Sequence, residues 1–422
     1  MNLIFYATAQ AAFCFLLRTS PASRIFIALA AMVSPFLWSY LDEARPYVMQ
    51  FCGATLMTVA IWNVTFFPRS SLLPSDICAF CIGAVILCGS SLLGAIPAFF
   101  FGLLMLLSLD RNKQLIDLLK SKSAWVVIAT ASLIMAGLGA YYAWTLSLGA
   151  KASSVGQTSL ATILFGIYEL SGFSGFGPGR LELREVGPRA LGGYLGFLVI
   201  GSLPYLLVLA WLVLRPAMSP KGVKLSAIAI TVCLLATFLA VVAVGFLGNF
   251  RVIGRHFTPL VPFLFILLGL LWARMWASMA WRWAVGFSLL IFVGGSLTQR
   301  LDARFAKDDY LSASSVARAA LADGQVVWWA ADPAASNYYG VFPSVGTSSP
   351  TDLRNSPPAT SPVFFANNRD GGYLAGLPKA DVVVLSKTDI YDATGALRDW
   401  MKGNRFTVTK TFPAFTIWER EK

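Results

Sequence analysis

Long apolar runs separated by short polar connections fill the first 300 residues of this chain. They lie at residues 2–18, 24–41, 46–67, 123–149, 189–214, 225–248, 257–273 and 283–297. A helix needs about 20 apolar residues to cross the hydrocarbon core of a bilayer, so each run is predicted to span a membrane. A further apolar stretch, residues 76–109, is too long for one helix and is interrupted by Gly89, Ser90, Ser91 and Gly94. We predict a hairpin of two short helices there, for a total of about ten spans.

The pattern changes abruptly near residue 298. Helices are predicted over residues 308–322 and 394–402, and strands over 325–331, 381–386, 406–411 and 415–419. Residues 343–362, rich in Pro, Ser and Thr, are predicted to form a loop. This alternation indicates a small α/β domain. We therefore expect a membrane domain at 1–297, with a long outer loop at 150–188, and a soluble α/β domain at 298–422.

Composition agrees with a membrane protein. Hydrophobic residues make up 57% of the chain and charged residues 13%, whereas soluble domains carry roughly 25% charged residues. The net charge of +12 is explained by Lys and Arg at the cytoplasmic ends of helices, so we predict no nucleic-acid partner. The predicted fold class is a polytopic α-helical membrane protein with a small α/β domain outside the membrane.

Orientation follows from the connections that carry Lys and Arg, at residues 18–24, 111–122, 215–224 and 274–282. Basic residues concentrate in cytoplasmic loops of membrane proteins. If all four connections are cytoplasmic, residues 42–45, 150–188, 249–256 and those after about 298 lie together on the other side. This alternation requires the hairpin at 76–109. We expect these distant segments to share one aqueous surface.

Asp42 and Glu43 form a pair of adjacent carboxylates at the tip of a predicted outer hairpin, with Arg45 beside them. Two interpretations are open. The carboxylates could cap the helix that begins near Pro46, since acidic groups are favourable at a helix N-terminus. Alternatively, one carboxylate binds a substrate hydroxyl or acts as a base, and Arg45 orients it or holds a phosphate.

Arg251, Arg255 and the only histidine, His256, lie on the predicted outer side, against the usual charge bias. Guanidinium groups bind phosphate and diphosphate through two parallel hydrogen bonds, so the pair is a candidate phosphate site. The alternative is a pair of arginines whose side chains reach lipid headgroups. His256 is either a structural hydrogen-bonding group or a catalyst.

The predicted loop 150–188 contains four glycines within residues 172–179, with Glu169 before them and Arg180 after them. Glycine-rich backbone disfavours a regular helix. Long loops of this kind often act as lids or binding loops, whereas the alternative is an inert, poorly ordered linker. We predict that Glu169 and Arg180 contact substrate.

Three stretches together resemble the GT-C class of integral-membrane glycosyltransferases, which includes the bacterial aminoarabinose transferases acting on lipid A and the protein mannosyltransferases. Ser34-Pro35 followed by Arg45-Pro46-Tyr47 is similar to an outer-loop motif of that class. Gly254-Arg255-His256-Phe257, with Pro259 and Pro262, is similar to a motif at the start of a later helix. The loop 150–188 occupies the position of the class's acceptor and lipid-sugar loop.

The resemblance implies a bacterial inner-membrane enzyme whose C-terminal domain is periplasmic. It implies a polyprenyl-phosphate-linked sugar donor, inversion at the sugar, and a glycan, lipid or protein acceptor. Asp42 or Glu43 then activates the acceptor hydroxyl, and Arg251 and Arg255 hold the phosphate. Arg45, Tyr47, Glu169, Arg180 and His256 are the other expected substrate-binding residues. No cofactor is expected and no metal is expected from protein ligands alone, although a divalent metal requirement stays open.

One departure from the class leaves other functions open. Its members place the principal catalytic acid in a first outer loop, whereas this sequence resembles them from their second helix onward. We therefore expect a helix and a loop with paired acids before Met1. A non-catalytic membrane subunit that binds polyprenyl lipids is the main alternative. A flippase or transporter is less favoured, because the predicted spans carry almost no charge and show no internal repeat.

Overall fold

The computed structural model describes residues 1–41, 46–67, 73–148, 158–214, 221–248, 250–342, 363–368 and 371–420. They form two compact units. The first comprises Met1–Gly177 and Gly193–Leu301, and the second comprises Pro178–Gly192 and Asp302–Lys422. The second unit therefore takes its residues from two separate parts of the chain.

The first unit is helical throughout its described residues. Its helices are α1 Asn2–Ala11, α2 Pro21–Met32, α3 Pro35–Tyr40, α4 Tyr47–Phe66, α5 Pro74–Ser90, α6 Ala95–Arg111, α7 Leu115–Lys120, α8 Lys122–Ser147, α9 Leu160–Leu170, α11 Leu195–Leu214, α12 Lys221–Leu247, α13 Val261–Trp276 and α14 Met279–Leu301. Helix α1 continues as a π-helix over Ala12–Leu16. Helix α10 belongs to the second unit and is described with it. A 3-10 turn at Gly254–Leu260 leads into α13.

Among the described residues, seven helices are long and apolar enough to cross a membrane, the longest running from Gly187 to Leu214 with its leading 3-10 turn. Three other predicted spans form shorter apolar helices, at Asn2–Leu16, Pro21–Met32 and Pro74–Ser90. The span predicted at 24–41 is divided, because Ser34 caps a new helix that begins at Pro35. The polytopic helical fold is confirmed.

The predicted hairpin at 76–109 is also confirmed. Ser91 adopts an extended conformation between α5 and α6, and its Oγ accepts a hydrogen bond from the Gly94 backbone N–H. Gly94 lies so close to the end of α5 that a Cβ on it would be 2.2 Å from the Leu87 carbonyl oxygen. The Gly/Ser break therefore reverses the chain within a few residues.

Helix α4 is the central helix of this unit. In its most apolar stretch 83% is buried, whereas the corresponding share for α8 is 11%. Gly53 of α4 and Gly83 of α5 face each other, and a Cβ on Gly83 would lie 2.5 Å from the Gly53 carbonyl oxygen. Small residues allow helices in membranes to approach closely. The exposed apolar side chains of α8, α11 and α12 are typical of lipid-facing positions.

Side-chain hydrogen bonds show which connections share an end of this bundle. At one end, called the site end below, four side-chain hydrogen bonds form between Asn2 and Leu41, Gln50 and Ser91, Ser296 and Val33, and Thr158 and Phe250. The opposite end is marked by the pairs Arg18–Asn63 and Asn112–Val64. Of the segments predicted to lie together at 150–188 and 249–256, the parts 158–169 and 250–254 are in contact, which confirms that part of the prediction. The side of the membrane that they face stays a prediction.

The glycine-rich segment at residues 172–179, predicted to be part of a lid or binding loop or alternatively of an inert linker, is packed into the fold. It follows helix α9, forms a 3-10 turn at Phe173–Gly175, and is largely buried. A Cβ on Gly175 would lie 2.5 Å from the Gly295 carbonyl oxygen, and Phe176 fills the space beside Gly201 and Gly295. The glycines allow close packing at these positions.

The second unit holds helix α10 Arg180–Val186, α15 Tyr310–Ala322 and a mixed five-stranded sheet. Its strands are β1 Val327–Ala330, β2 Val363–Phe365, β3 Val382–Ser386, β4 Phe406–Phe412 and β5 Phe415–Arg420, in the order β2-β1-β3-β5-β4. β1 is parallel to β2 and β3, and β5 is antiparallel to β3 and β4. The shorter helices are α16 Pro333–Tyr338, α17 Gly371–Gly376, α18 Thr388–Tyr391 and α19 Ala396–Gly403.

The sheet is covered on both faces. Trp329 and Val384 pack with Ala313 and Ala317 of α15 on one face, while Trp328 packs with Leu374, Leu397 and Met401 on the other. The predicted α/β class, four of the strands and two of the helices are confirmed. The predicted loop at 343–362 lies outside the described residues.

Candidate functional site

Three separate parts of the first unit meet at the site end. Tyr47 begins α4, Glu169 lies near the end of α9, and Gly254 and Arg255 lie in the turn before α13. The Glu169 Oε2 accepts a hydrogen bond of 3.0 Å from the Gly254 N–H. The Arg255 Cζ lies 5.4 Å from the centroid of the Tyr47 ring. These contacts place a carboxylate and a guanidinium from distant parts of the sequence in one site.

Glu169 is 3% exposed, so its carboxyl group is almost completely removed from solvent. Burying such a group is costly unless it is hydrogen-bonded. Two glycines make the arrangement possible: a Cβ on Gly254 would lie 2.6 Å from Glu169 Oε2, and a Cβ on Gly166 would lie 3.3 Å from the Gly254 nitrogen. The site therefore depends on close backbone approach between α9 and the turn before α13.

His256 fixes the conformation of this turn. Its Nδ1 accepts a hydrogen bond of 3.1 Å from the Ile253 N–H, and the Phe250 ring lies edge-on with centroids 5.8 Å apart. Because Nδ1 accepts, the neutral ring carries its proton on Nε2. A structural role is thus established for His256, and its predicted contact with substrate stays a prediction.

Arg251 and Arg255 are both half-buried and lie four positions apart in the segment Arg251–Arg255, called the arginine turn below, which leads into the 3-10 turn that begins at Gly254. The Arg255 Nε is buried and has no hydrogen-bond partner among the residues that the structure describes. A buried guanidinium nitrogen is costly when it lacks an acceptor. Arg255 therefore presents a donor that an anionic ligand could satisfy.

Thr158 also contacts the backbone on both sides of Arg251. Its hydroxyl donates to the Phe250 carbonyl oxygen at 2.6 Å and accepts from the Val252 N–H at 3.1 Å. Sequence analysis missed Thr158, because a single threonine between polar and apolar residues gives no distinctive pattern. Because the two hydrogen bonds of Thr158 hold residues 250 and 252, they restrict the backbone of Arg251 between them.

Four other predicted site residues are not part of the described first unit. Asp42, Glu43 and Arg45 lie outside the described residues. Arg180 begins α10 and belongs to the second compact unit, where its side chain is exposed. Within the described parts of the chain, Glu169 is the carboxylate that meets the arginine turn.

Asp332 and Asp389 follow β1 and β3 at the same edge of the sheet. Asp332 accepts a hydrogen bond of 2.9 Å from the Ala334 N–H and so caps α16. Asp389 lies 4.0 Å from the Arg184 Nε. Burial raises the pKa of the neighbouring Tyr391 above its ordinary value, and the negative charge of Asp332 adds to that rise. These groups have structural contacts within the second unit.

Across the described residues, no group of three or more His, Cys, Asp or Glu side chains is arranged to hold a metal ion. The side chains of the site offer anion binding by guanidinium groups and hydrogen-bond acceptance by a buried carboxylate.

No family model matches the chain, and no curated protein matches it. Two solved structures are similar in shape. The crystal structure of ArnT from Cupriavidus metallidurans bound to undecaprenyl phosphate has 12% sequence identity and a TM-score of 0.48, over 99% of this chain and 82% of that one. The arabinofuranosyltransferase AftD from mycobacteria has 15% identity and a TM-score of 0.34, over 100% of this chain and 34% of that one.

Proposed function

We propose that this protein is a membrane glycosyltransferase that moves a sugar from a polyprenyl-phosphate donor to a glycan, lipid or protein acceptor. The observation that carries the proposal is the meeting of buried Glu169 with the Arg251–Arg255 turn and Tyr47 at one end of an apolar helix bundle. A donor with a long apolar tail and a phosphate headgroup needs apolar helices beside a cationic site, and this unit has both.

In the proposed reaction, a bond forms between an acceptor oxygen and the anomeric carbon of the sugar, and the bond from that carbon to the phosphate oxygen breaks. The leaving polyprenyl phosphate carries the negative charge that develops. Arg255 stabilises this charge, because a half-buried guanidinium interacts more strongly with an anion than one in water does. Arg251 is the second phosphate ligand.

The acceptor hydroxyl must lose a proton as it attacks. We assign that base to Asp42 or Glu43, which stand five and four positions before Tyr47 in sequence. Glu169 already accepts the Gly254 N–H, so we assign it to holding the arginine turn and a sugar hydroxyl. With the basic connections in the cytoplasm, the site end and the second unit are periplasmic in a bacterial inner membrane.

The decisive experiment compares a strain lacking the gene with complemented strains. Polyprenyl-phosphate sugars and envelope glycans are measured by mass spectrometry. We expect the unused donor to accumulate in the deletion strain while one glycan modification disappears, which identifies both substrates. An unchanged lipid pool with unchanged glycans would contradict the proposed function.

Complementation with Arg255→Lys tests the phosphate contact. Lysine keeps the charge but loses the planar fork and the contact over the Tyr47 ring. Losing one charge-assisted hydrogen bond, worth about 1.5–3 kcal/mol, should reduce transfer on the order of 10- to 100-fold. Arg300→Lys, an exposed arginine in the last turn of α14 at the same end, is the matched control and should transfer normally.

The double variant Asp42→Asn/Glu43→Gln should stop transfer and leave membrane insertion unchanged. Normal glycans in this variant would leave only helix capping for the two carboxylates. A chain that still binds undecaprenyl phosphate, but whose deletion changes no glycan, would instead be the non-catalytic lipid-binding subunit.

A further inference from the structure

A cavity of about 340 Å³ lies at the opposite end of the bundle from the candidate site. It is bounded by the π-helix at Ala12–Leu16, by α4 and by the start of α5. Arg18, Arg24, Asn63 and Asp76 contribute its charged and amide groups. None of these residues has a part in the proposed glycosyl transfer.

A hydrogen-bond network fixes Arg18 in the cavity wall. Its Nη2 donates to Asp76 Oδ2 at 2.6 Å, and its backbone N–H donates to Asn63 Oδ1 at 2.7 Å. Asn63 Nδ2 in turn donates to Asp76 Oδ1 at 3.1 Å. The side chain of Asp76 is 6% exposed and that of Arg18 is 19% exposed, so this ion pair is built into the protein.

Arg24 differs from Arg18. Its Nη1 donates to the Cys14 carbonyl oxygen at 3.0 Å, one of the carbonyls left free where α1 widens into the π-helix and ends. No carboxylate of the described residues lies within 4.0 Å of Arg24, and its side chain is half-buried. With Arg18 and Asp76 paired, the cavity wall keeps one positive charge without a counter-charge.

Apolar side chains form part of the wall. Phe15 is 79% exposed and Leu16 is 45% exposed, although both belong to an apolar helix of a membrane-spanning unit. Such side chains face acyl chains in a bilayer. The cavity thus combines a cationic interior with an apolar border, which fits the phosphate and the first acyl carbons of a phospholipid.

We propose that this cavity binds the headgroup phosphate of an anionic phospholipid in the leaflet at that end of the bundle. Arg24 supplies a guanidinium without a carboxylate partner, Arg18 supplies a second one held in place by Asp76, and Phe15 and Leu16 contact the acyl chains. A water-soluble phosphate would use the same guanidinium groups but gain nothing from the apolar border. The site is separate from the proposed glycosyl-transfer site.

The test uses the full chain in detergent, with phosphatidylglycerol added and bound lipids counted by native mass spectrometry. Arg24→Gln should weaken retention of one phosphatidylglycerol at least tenfold, since the amide keeps a donor for Cys14 but loses the charge. Arg282→Gln is the control, because Arg282 is at the same end and donates to the Trp276 carbonyl oxygen outside the cavity.

Phosphatidylcholine and inorganic phosphate provide the other arms. We expect phosphatidylcholine to bind more weakly than phosphatidylglycerol, and millimolar inorganic phosphate not to displace the lipid. Equal retention in Arg24→Gln, Arg282→Gln and the unchanged chain would overturn the proposal. Displacement by inorganic phosphate would overturn its lipid part. If Arg24→Gln lowers the unfolding temperature without lipid, Arg24→Lys should fold and bind phosphatidylglycerol with intermediate strength. Normal lipid binding by a folded Arg24→Ala variant would also overturn the proposal.

Discussion

At the residue scale, Gly254 sets how closely Glu169 can approach the arginine turn. Glu169 is buried and accepts the Gly254 N–H, and no other residue type leaves room for its carboxylate at that distance. The sequence indicated Arg251 and Arg255 because their charges oppose the usual bias. It could not indicate the hydrogen bond, which joins residues 85 positions apart.

We predict that Gly254→Ala displaces Glu169, because the added Cβ would lie 2.6 Å from its Oε2. Overpacking of this kind costs about 1–3 kcal/mol, so the unfolding temperature in detergent should fall and transfer should decrease at least tenfold. Gly137→Ala is the control, since a Cβ there meets nothing within 4 Å. Equal behaviour of the two variants would mean that the close approach is not needed.

At the scale of elements, polar residues join the end of α1 to the start of α5. Half-buried Arg18 and buried Asp76 form an ion pair at the opposite end of the bundle, and Asn63 of α4 bridges it. Sequence analysis assigned Arg18 only to a basic connection. It missed Asp76, because a single acid at the start of an apolar helix is also the usual choice for an N-terminal turn.

We predict that Asp76→Asn lowers the unfolding free energy by up to about 3 kcal/mol, because it leaves the half-buried Arg18 charge without its partner. The double variant Arg18→Met/Asp76→Leu removes both charges and should lose much less. Thermal unfolding of the purified chain measures both effects. A double variant as unstable as Asp76→Asn would mean that the ion pair itself, rather than an unpaired charge, decides stability here.

Other elements show where local pattern succeeds. The hairpin at 76–109 was predictable because Gly and Ser interrupt an apolar run too long for one helix. Helix α9 was not, because it lies beside glycine-rich sequence that favours loop. Strand β2 was missed because three residues, Val363–Phe365, follow a segment rich in Pro, Ser and Thr, and only pairing with β1 makes them a strand.

At the scale of the whole molecule, we predict which positions face each side of the membrane. In a chain without its six cysteines, Leu148→Cys and Leu247→Cys place thiols at the site end, and Met279→Cys places one at the opposite end. All three positions are exposed. A membrane-impermeant maleimide should label residues 148 and 247 in intact spheroplasts, and residue 279 only after lysis.

Asp323→Cys extends this test to the second unit, where residue 323 is exposed at the end of α15. It should label together with residues 148 and 247, because an even number of predicted crossings separates these positions. Labelling at residue 279 in intact spheroplasts, or protection of residue 247, would reverse the proposed orientation and with it the periplasmic location of the site.

The sequence by itself determined that most of this chain is a helical membrane protein followed by an α/β region, because apolar length and alternation are local properties. It also indicated that distant polar segments share one end, because helices must cross in alternation. Only the tertiary structure decided that Glu169 meets the arginine turn, that the glycines pack closely against neighbouring residues, and that residues 178–192 join the second unit. Those features depend on close contacts between distant residues, which no local pattern specifies.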